Sequence, residues 1–280
     1  MFTVWIFNFE NKELRKYTKK NNQQTANDFI VDFPPGVYTS LRTVNNKKAI
    51  FQYSYHLNRL LESFQLSGFD FEFSLDALRD PLRAIISEEV AQELRIRIFI
   101  PFEKPNISYI LSEELTQPRL HDYQIGVKVS TNHLNRENPR AKLTSFIKKS
   151  EKIKRACDEN NLDESIMINK KGELLEGLSS NFFAVKNGVM FTAEDEVLKG
   201  SIREIIIEEV RKNKIPLRLK PILINELDML DEAFITSTSR GILPVIQIND
   251  SVVGAGKPGI ITQLLAQKFK ERLFREAETI

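Results

Sequence analysis

The stretch KGELLEGLSSNFFAVKNGVMFTAEDEVLKGSIR, residues Lys171–Arg203, decides the fold of this chain. It begins inside a predicted hairpin turn, Lys170–Gly172, and continues into the apolar strand Asn181–Val185. A second turn, Lys186–Gly188, has the Asn-Gly pair that favours tight hairpins. The pattern therefore predicts antiparallel strands joined by short turns.

An acidic residue and a helix start lie within the same stretch. Glu176 stands between the first turn and the apolar strand, so we expect its carboxylate to enter a packed region. Gly200-Ser201 precedes an apolar segment of helical period, and the first N–H groups of a helix bind phosphate well. This order of acid, polar turn and helix start suits a site for a phosphorylated, nitrogen-containing ring.

Nearly the whole chain resembles the class IV, or fold-type IV, pyridoxal-phosphate enzymes, which include branched-chain and D-amino-acid aminotransferases and aminodeoxychorismate lyase. No single block is specific, but the blocks occur in the family order. They are VYTSLRT (Val37–Thr43), HLNRLLES (His56–Ser63), NPRAKLTSFI (Asn138–Ile147), LDESIMINKKGELLEGLSSNFFAVKNGVMFT (Leu162–Thr192), LKGSIRE (Leu198–Glu204) and AFITSTSRGILPV (Ala233–Val245).

The order of predicted strands and helices is that of a mixed α/β protein. The resemblance implies a small α+β domain over residues 1–117 and a larger α/β pseudo-barrel domain over residues 123–280, with a connector near Gln117–Asp122. It also implies a homodimer, with pyridoxal 5'-phosphate between the two domains.

The resemblance assigns the cofactor-binding residues. Lys142 would form the Schiff base and act as the catalytic base, a role that suits an amine held neutral in a cation-rich site. Lys148 and Lys149 are nearby rivals, but they lie in a basic helix. Catalytic Glu176 would keep the ring nitrogen protonated, and Arg59 would bind the phosphate. The other phosphate contacts would come from Ser201, Ile202, Ser237 and Thr238.

The group that binds the substrate carboxylate is harder to assign. Many relatives carry an arginine near the end of the strand that corresponds to Leu94–Ile100, but here Ile100-Pro101-Phe102-Glu103 stands there. Ile147 occupies a position where branched-chain enzymes commonly have tyrosine, which argues mildly against an ordinary branched-chain enzyme. The substrate-binding candidates are Tyr38, Arg42, Arg97 and Arg240.

The resemblance implies transfer of an amino group between a branched-chain-like or D-amino acid and a 2-oxo acid. One alternative is 4-amino-4-deoxychorismate lyase activity, which releases pyruvate and 4-aminobenzoate through the same lysine. Another alternative is a non-catalytic homologue that binds the cofactor. The joint presence of Lys142, Glu176 and Arg59 speaks against this last alternative.

Composition agrees with a cytoplasmic enzyme whose substrates are small molecules. The net charge of +2 gives no reason to expect nucleic acid as a partner. Cys157 is the only cysteine, which excludes an internal disulfide and fits a reducing compartment. The N-terminal residues 1–8 alternate like a strand and lack the features of a signal peptide, and no apolar run reaches the about 18 residues needed to cross a membrane.

Other motif matches fail on context. Gly254–Gly259 fits GxGxxG by letter, but too little chain follows for the expected strand and acidic residue. The three histidines and one cysteine have no metal-ligand spacing, so we expect no metal site. No GxSxG elbow supports a serine hydrolase.

Overall fold

A computed structural model of the chain describes residues 2–18 and 25–280. The strands are β1 (Phe2–Asn8), β2 (Leu14–Lys16), β3 (Gly36–Val44), β4 (Ala49–Phe51), β5 (Leu94–Pro101), β6 (Ile107–Glu114), β7 (Val127–Asn132), β8 (Glu164–Ile168), β9 (Glu173–Gly177), β10 (Asn181–Lys186), β11 (Val189–Phe191), β12 (Leu217–Arg218), β13 (Ile222–Leu223), β14 (Glu232–Ser237), β15 (Gly241–Ile248), β16 (Ser251–Val252) and β17 (Ala277–Thr279). The α-helices are α1 (Ala26–Val31), α2 (Tyr53–Leu66), α3 (Arg79–Glu88), α4 (Leu120–Ile125), α5 (Thr144–Glu159), α6 (Ser201–Lys212) and α7 (Ile260–Arg275).

The described residues form two compact units. Unit 1 comprises those of Met1–Thr116, Arg140–Lys149 and Leu273–Ile280, and unit 2 comprises Gln117–Pro139 and Ser150–Arg272. Unit 2 thus begins at the predicted connector, but two later segments that the sequence assigned to the second domain belong to unit 1. Backbone pairing explains both: Leu143 forms a bridge with Val37, and β17 pairs with β4.

Unit 1 is built on a seven-stranded sheet in the order β17-β4-β3-β5-β6-β1-β2. Helix α2 buries Leu57, Leu60 and Phe64 in the same apolar cluster as Leu41 of β3 and Ile96 of β5. Full burial of such a side chain stabilises the fold by about 1.5–3 kcal/mol. Helix α1 buries Phe29 and Ile30 in a second apolar cluster, together with Phe99 of β5 and Leu111 of β6.

Unit 2 contains a ten-stranded sheet in the order β12-β11-β10-β14-β15-β7-β8-β9-β13, with β16 attached to β15. This sheet closes on itself, because β10 also pairs with β9 through Asn181 and Glu176. The strands β10-β14-β15-β7-β8-β9 thereby form a ring whose interior holds apolar side chains. The predicted pseudo-barrel is therefore present, and its closing pair contains Glu176.

Most locally encoded elements are where the sequence predicted them. Both hairpin turns are confirmed, with Gly172 and Gly188 at positive φ, and α6 begins at Ser201. A short helix, α4, occupies part of the predicted connector. Gly126, at φ +86, is the C-cap of that helix, and β7 begins at the next residue, Val127.

Candidate active site

Three polar side chains of unit 1 meet beneath β3. Arg59 lies on α2 one turn after His56, and both face Thr39 of β3. The Arg59 Nη2 atom donates to Thr39 Oγ1 and to His56 Nδ1, each at 3.2 Å. Since all three residues are buried, Arg59 is held by packing as well as by hydrogen bonds.

The imidazole of His56 is neutral at ordinary pH. Burial lowers its pKa well below the usual value, and the nearby charges of Arg59 and Lys142 lower it further. Because a guanidinium can only donate, His56 Nδ1 is the acceptor and the ring hydrogen is on Nε2. The cluster therefore concentrates positive charge around Arg59 and Lys142, as an anion site requires.

Lys142 is fixed to unit 1 through its backbone. Its carbonyl accepts from the Tyr38 N–H at 3.0 Å, and its N–H donates to Ser63 Oγ at 3.1 Å. Its Nζ atom lies 4.6 Å from the centre of the Tyr38 ring. The structure thus brings Lys142, Tyr38 and Arg59 into one neighbourhood, whereas the rival Lys148 and Lys149 are exposed on α5.

Glu176 is a buried carboxylate on β9, at the β9–β10 pair that closes the unit 2 barrel. Its Oε2 atom accepts from Asn181 Nδ2 at 2.9 Å and from the Leu198 N–H at 3.2 Å. Its Oε1 atom accepts from Arg136 Nε at 2.8 Å, in an ion pair whose two side chains are 6% and 2% exposed. A buried charge needs such a partner to remain ionised.

Sequence reasoning missed Arg136 and Asn181. Arg136 lies in the polar loop before Lys142, and Asn181 begins β10 opposite Glu176. The Asn181 amide also donates to the Leu198 carbonyl at 2.7 Å, so it connects the acid to the segment before α6. Arg136 and Asn181 reach Glu176 only because the barrel closes, and no local sequence pattern predicts that closure.

The start of α6 in unit 2 has the backbone geometry that can bind an anion. Gly200 is its N-cap and contributes no side-chain hydrogen bond. A Cβ at this position would overlap Asn181 Oδ1, so any larger residue would have to displace the Asn181 side chain. Ser201 and Ile202 are buried in the first turn, where helical N–H groups lack helical partners.

Strand register puts the predicted serine-threonine turn at the same end of the barrel. Glu176, Asn181 and Thr236 form a row across β9, β10 and β14, and Ser237 directly follows Thr236. The Thr236 hydroxyl is buried and has no hydrogen-bond partner among the residues that the structure describes. Ser237 Oγ accepts from Arg240 Nε at 3.2 Å, while Thr238 lies in the turn between β14 and β15.

The substrate-binding candidates have different surroundings. Arg240 is paired with Glu164 at 2.8 Å. Arg97 is buried, donates to Asn27 and lies 3.6 Å from Glu113, and burial next to Arg95 lowers its pKa to about 10. Arg42 is buried four residues beyond Tyr38 on β3, which corresponds to about 13 Å. Tyr38 is the candidate whose ring lies against the Lys142 Nζ atom.

The described residues, 2–18 and 25–280, contain neither a metal-binding cluster nor a membrane-spanning helix. No group of three or more His, Cys, Asp or Glu side chains there is arranged to hold a metal ion. No helix in these ranges is both long enough and apolar enough to cross a membrane.

Comparison with known proteins identifies the family. Residues 36–248 match the amino-transferase class IV family. The chain is 25% identical to the branched-chain-amino-acid aminotransferase of Pseudomonas aeruginosa, with 84% of this chain and 82% of the relative covered. It is 26% identical to the D-alanine aminotransferase of Listeria monocytogenes, with 87% and 88% covered.

A solved structure confirms the predicted fold class. The branched-chain amino acid aminotransferase of T.th., complexed with N-(5'-phosphopyridoxyl)-L-glutamate, superimposes with a TM-score of 0.79. The two chains are 18% identical, and the match covers 98% of this chain and 94% of that one. A mixed α/β fold of this type and a family match over most of its length show that this chain is an enzyme of the class IV aminotransferase family.

Proposed function

We propose that the chain uses pyridoxal 5'-phosphate to transfer an amino group between an amino acid and a 2-oxo acid. The observation that carries this proposal is the presence of two kinds of site. Unit 1 has an amine and a buried guanidinium that both lie near His56, and unit 2 has a buried carboxylate bonded to the segment before a helix start. The relative that was solved with a phosphopyridoxyl ligand supports the same cofactor.

The residues of the chain fit the chemical groups of this cofactor. In unit 1, Arg59 is suited to binding phosphate. In unit 2, the N–H groups of Ser201 and Ile202 would bind it. Ser237 and Thr238 would complete that site, and the unpartnered Thr236 hydroxyl beside them supports a polar ligand there. When bound, pyridoxal phosphate supplies the electron-accepting ring that the reaction needs.

Each catalytic residue has a separate task in the proposal. Lys142 would hold the cofactor through its Nζ amine, and the same amine, when free, would accept the Cα proton of the substrate. Glu176 would hold the proton on the pyridine nitrogen, and its ion pair with Arg136 favours the carboxylate form that this role needs. Tyr38 orients the Lys142 side chain through its ring.

The substrate class is also a proposal. The relatives named above act on branched-chain amino acids or D-alanine, so we propose an amino acid of one of these two types. Ile147 is buried in the apolar cluster around Phe29 and brings no hydroxyl to the cofactor. The homodimer and the cytoplasmic location are proposed on the family resemblance alone.

The test is a visible absorbance titration of the purified chain with pyridoxal phosphate, followed by L-amino acids, D-amino acids and aminodeoxychorismate. We expect a yellow species that is bleached by one set of amino acids and restored by a 2-oxo acid. Release of 4-aminobenzoate would replace the aminotransferase proposal with the lyase. If no coloured species forms, the chain does not use this cofactor.

A further inference from the structure

Glu164, the first residue of β8, is a buried carboxylate that the proposed reaction does not use. Its Oε2 atom accepts from Arg240 Nη2 at 2.8 Å, from Ser179 Oγ at 2.7 Å and from Ser180 Oγ at 3.0 Å. Its Oε1 atom accepts from the Ser165 N–H at 3.2 Å. One carboxylate therefore connects β8, the turn between β9 and β10, and the turn between β14 and β15.

Arg240 uses its whole guanidinium for contacts inside unit 2. Besides Glu164, its Nη2 atom donates to Ser179 Oγ at 2.6 Å. Its Nη1 atom donates to the Asp163 carbonyl at 3.2 Å, and its Nε atom to Ser237 Oγ at 3.2 Å. A side chain engaged at every nitrogen is badly placed to bind a substrate carboxylate.

The electrostatics favour a permanent ion pair. Burial by itself would raise the pKa of Glu164, but the charge and hydrogen bond of Arg240 and the hydrogen bond of Ser179 hold it below its ordinary value. The local backbone is adapted to this contact, since a Cβ on Gly177 would overlap Ser180 Oγ and Glu164 Cγ.

The pair lies next to the groups proposed to hold the cofactor. Ser179 and Ser180 separate Glu176 on β9 from Asn181 on β10. At the other side, Arg240 ends the turn that follows Ser237 and begins at Thr238, and its carbonyl accepts from the Tyr123 hydroxyl at 2.6 Å. A shift of the guanidinium would therefore move the turn.

We propose that Glu164 and Arg240 are positioning residues that hold the Ser237–Thr238 turn in place for the phosphate of the cofactor, and that Arg240 does not bind the substrate carboxylate. This inference rests on the proposed function. In it, the buried Glu164–Arg240 pair, whose members are far apart in sequence, fixes the geometry of that site. Misplacement of a binding group by about 1 Å can reduce catalysis about 10²-fold, so the effect is measurable.

The experiment compares Glu164→Gln, Arg240→Gln and the double variant in the full chain. We expect each single variant to raise the dissociation constant of pyridoxal phosphate by about tenfold or more. The double variant should be no worse than the poorer single variant, because both changes break one interaction. At saturating cofactor, the KM for the amino acid should stay near that of the wild type.

Arg272→Gln is the matched control, since it removes a buried arginine paired with Glu208 and Glu209 in the same unit. It should lower the melting temperature without changing cofactor affinity. The inference is overturned if Arg240→Gln raises only the KM for the amino acid, or if Glu164→Gln binds the cofactor like the wild type.

Hydrogen exchange of the amides of residues 237–240, measured without cofactor, separates this inference from the proposed function. Faster exchange in both single variants than in the wild type and the control supports the positioning role of the pair. Equal exchange rates would refute it. Absence of cofactor binding by the wild type would instead refute the proposed function.

Discussion

Glu176 is held by three donors, Arg136, Asn181 and the Leu198 N–H, that keep it a buried anion. Glu176→Gln preserves the size of the side chain but removes the charge that would hold a proton on the ring nitrogen. We expect the variant to bind pyridoxal phosphate and to slow the single-turnover half-reaction on the order of 10²-fold. Stopped-flow absorbance measures this rate, and an unchanged rate would remove the proposed role.

Arg59 is the buried cation proposed to bind phosphate. Hydrogen bonds to a charged group contribute about 1.5–3 kcal/mol each, so Arg59→Ala should weaken cofactor binding about 10-fold to 100-fold. Arg83→Ala is the control, because Arg83 is an exposed helix arginine paired with Asp80. Equal affinities of the two variants in a fluorescence titration would contradict phosphate binding at Arg59.

His56 makes the stability of the cofactor-free chain depend on pH. Burial keeps it neutral in the folded state, whereas in the unfolded chain it gains a proton below about pH 6.5. The unfolded state then binds more protons, so the free energy of unfolding falls with decreasing pH, by up to about 1.4 kcal/mol per unit. Urea unfolding at pH 7.5 and 5.5 should show a smaller loss for His56→Gln, and an equal loss would refute this account.

At the scale of elements, the approach of α6 to β10 depends on Gly200. A Cβ there would displace the Asn181 side chain and break its bonds to Glu176 and the Leu198 carbonyl. We expect Gly200→Ala to lower the free energy of unfolding by about 1–3 kcal/mol.

The matched test of this contact uses an Asn181→Ala background. The overlap is gone there, so Gly200→Ala should add little further destabilisation in denaturant titrations. A loss of the same size in both backgrounds would mean that Asn181 does not explain the glycine.

Elements with local signals could be predicted from the sequence. The two hairpins follow from their turn residues, and α6 follows from its apolar period and its glycine N-cap. Helix α4 was not predicted, because its boundary depends on Gly126, whose site is crowded by the side chain of the distant Ile246. A single-sequence pattern contains no information about such a neighbour.

At the scale of the whole chain, the family blocks named Lys142, Glu176 and Arg59, and their roles stay predictions. The supporting residues could not be found in this way, because they are far apart in sequence. Arg136 pairs with Glu176 across 40 positions, and Arg240 pairs with Glu164 across 76. Both pairs form only when the barrel of unit 2 has closed.

Segment 140–149 belongs to unit 1 for the same reason, because contacts between residues far apart in sequence place it there. Lys142 is separated from the rest of that unit in sequence, but the Tyr38 N–H and Ser63 Oγ hold its backbone there. Backbone pairing over such a distance is set by the tertiary fold, not by local propensity.

The most direct measurement locates the lysine to which the cofactor becomes attached. The chain is incubated with pyridoxal phosphate, reduced with borohydride, digested and analysed by peptide mass spectrometry, with Lys142→Ala as the control. We predict that the modified residue is Lys142 and that the control has no stoichiometric label. Label on Lys148 or Lys149, or a fully labelled Lys142→Ala variant, would contradict the account.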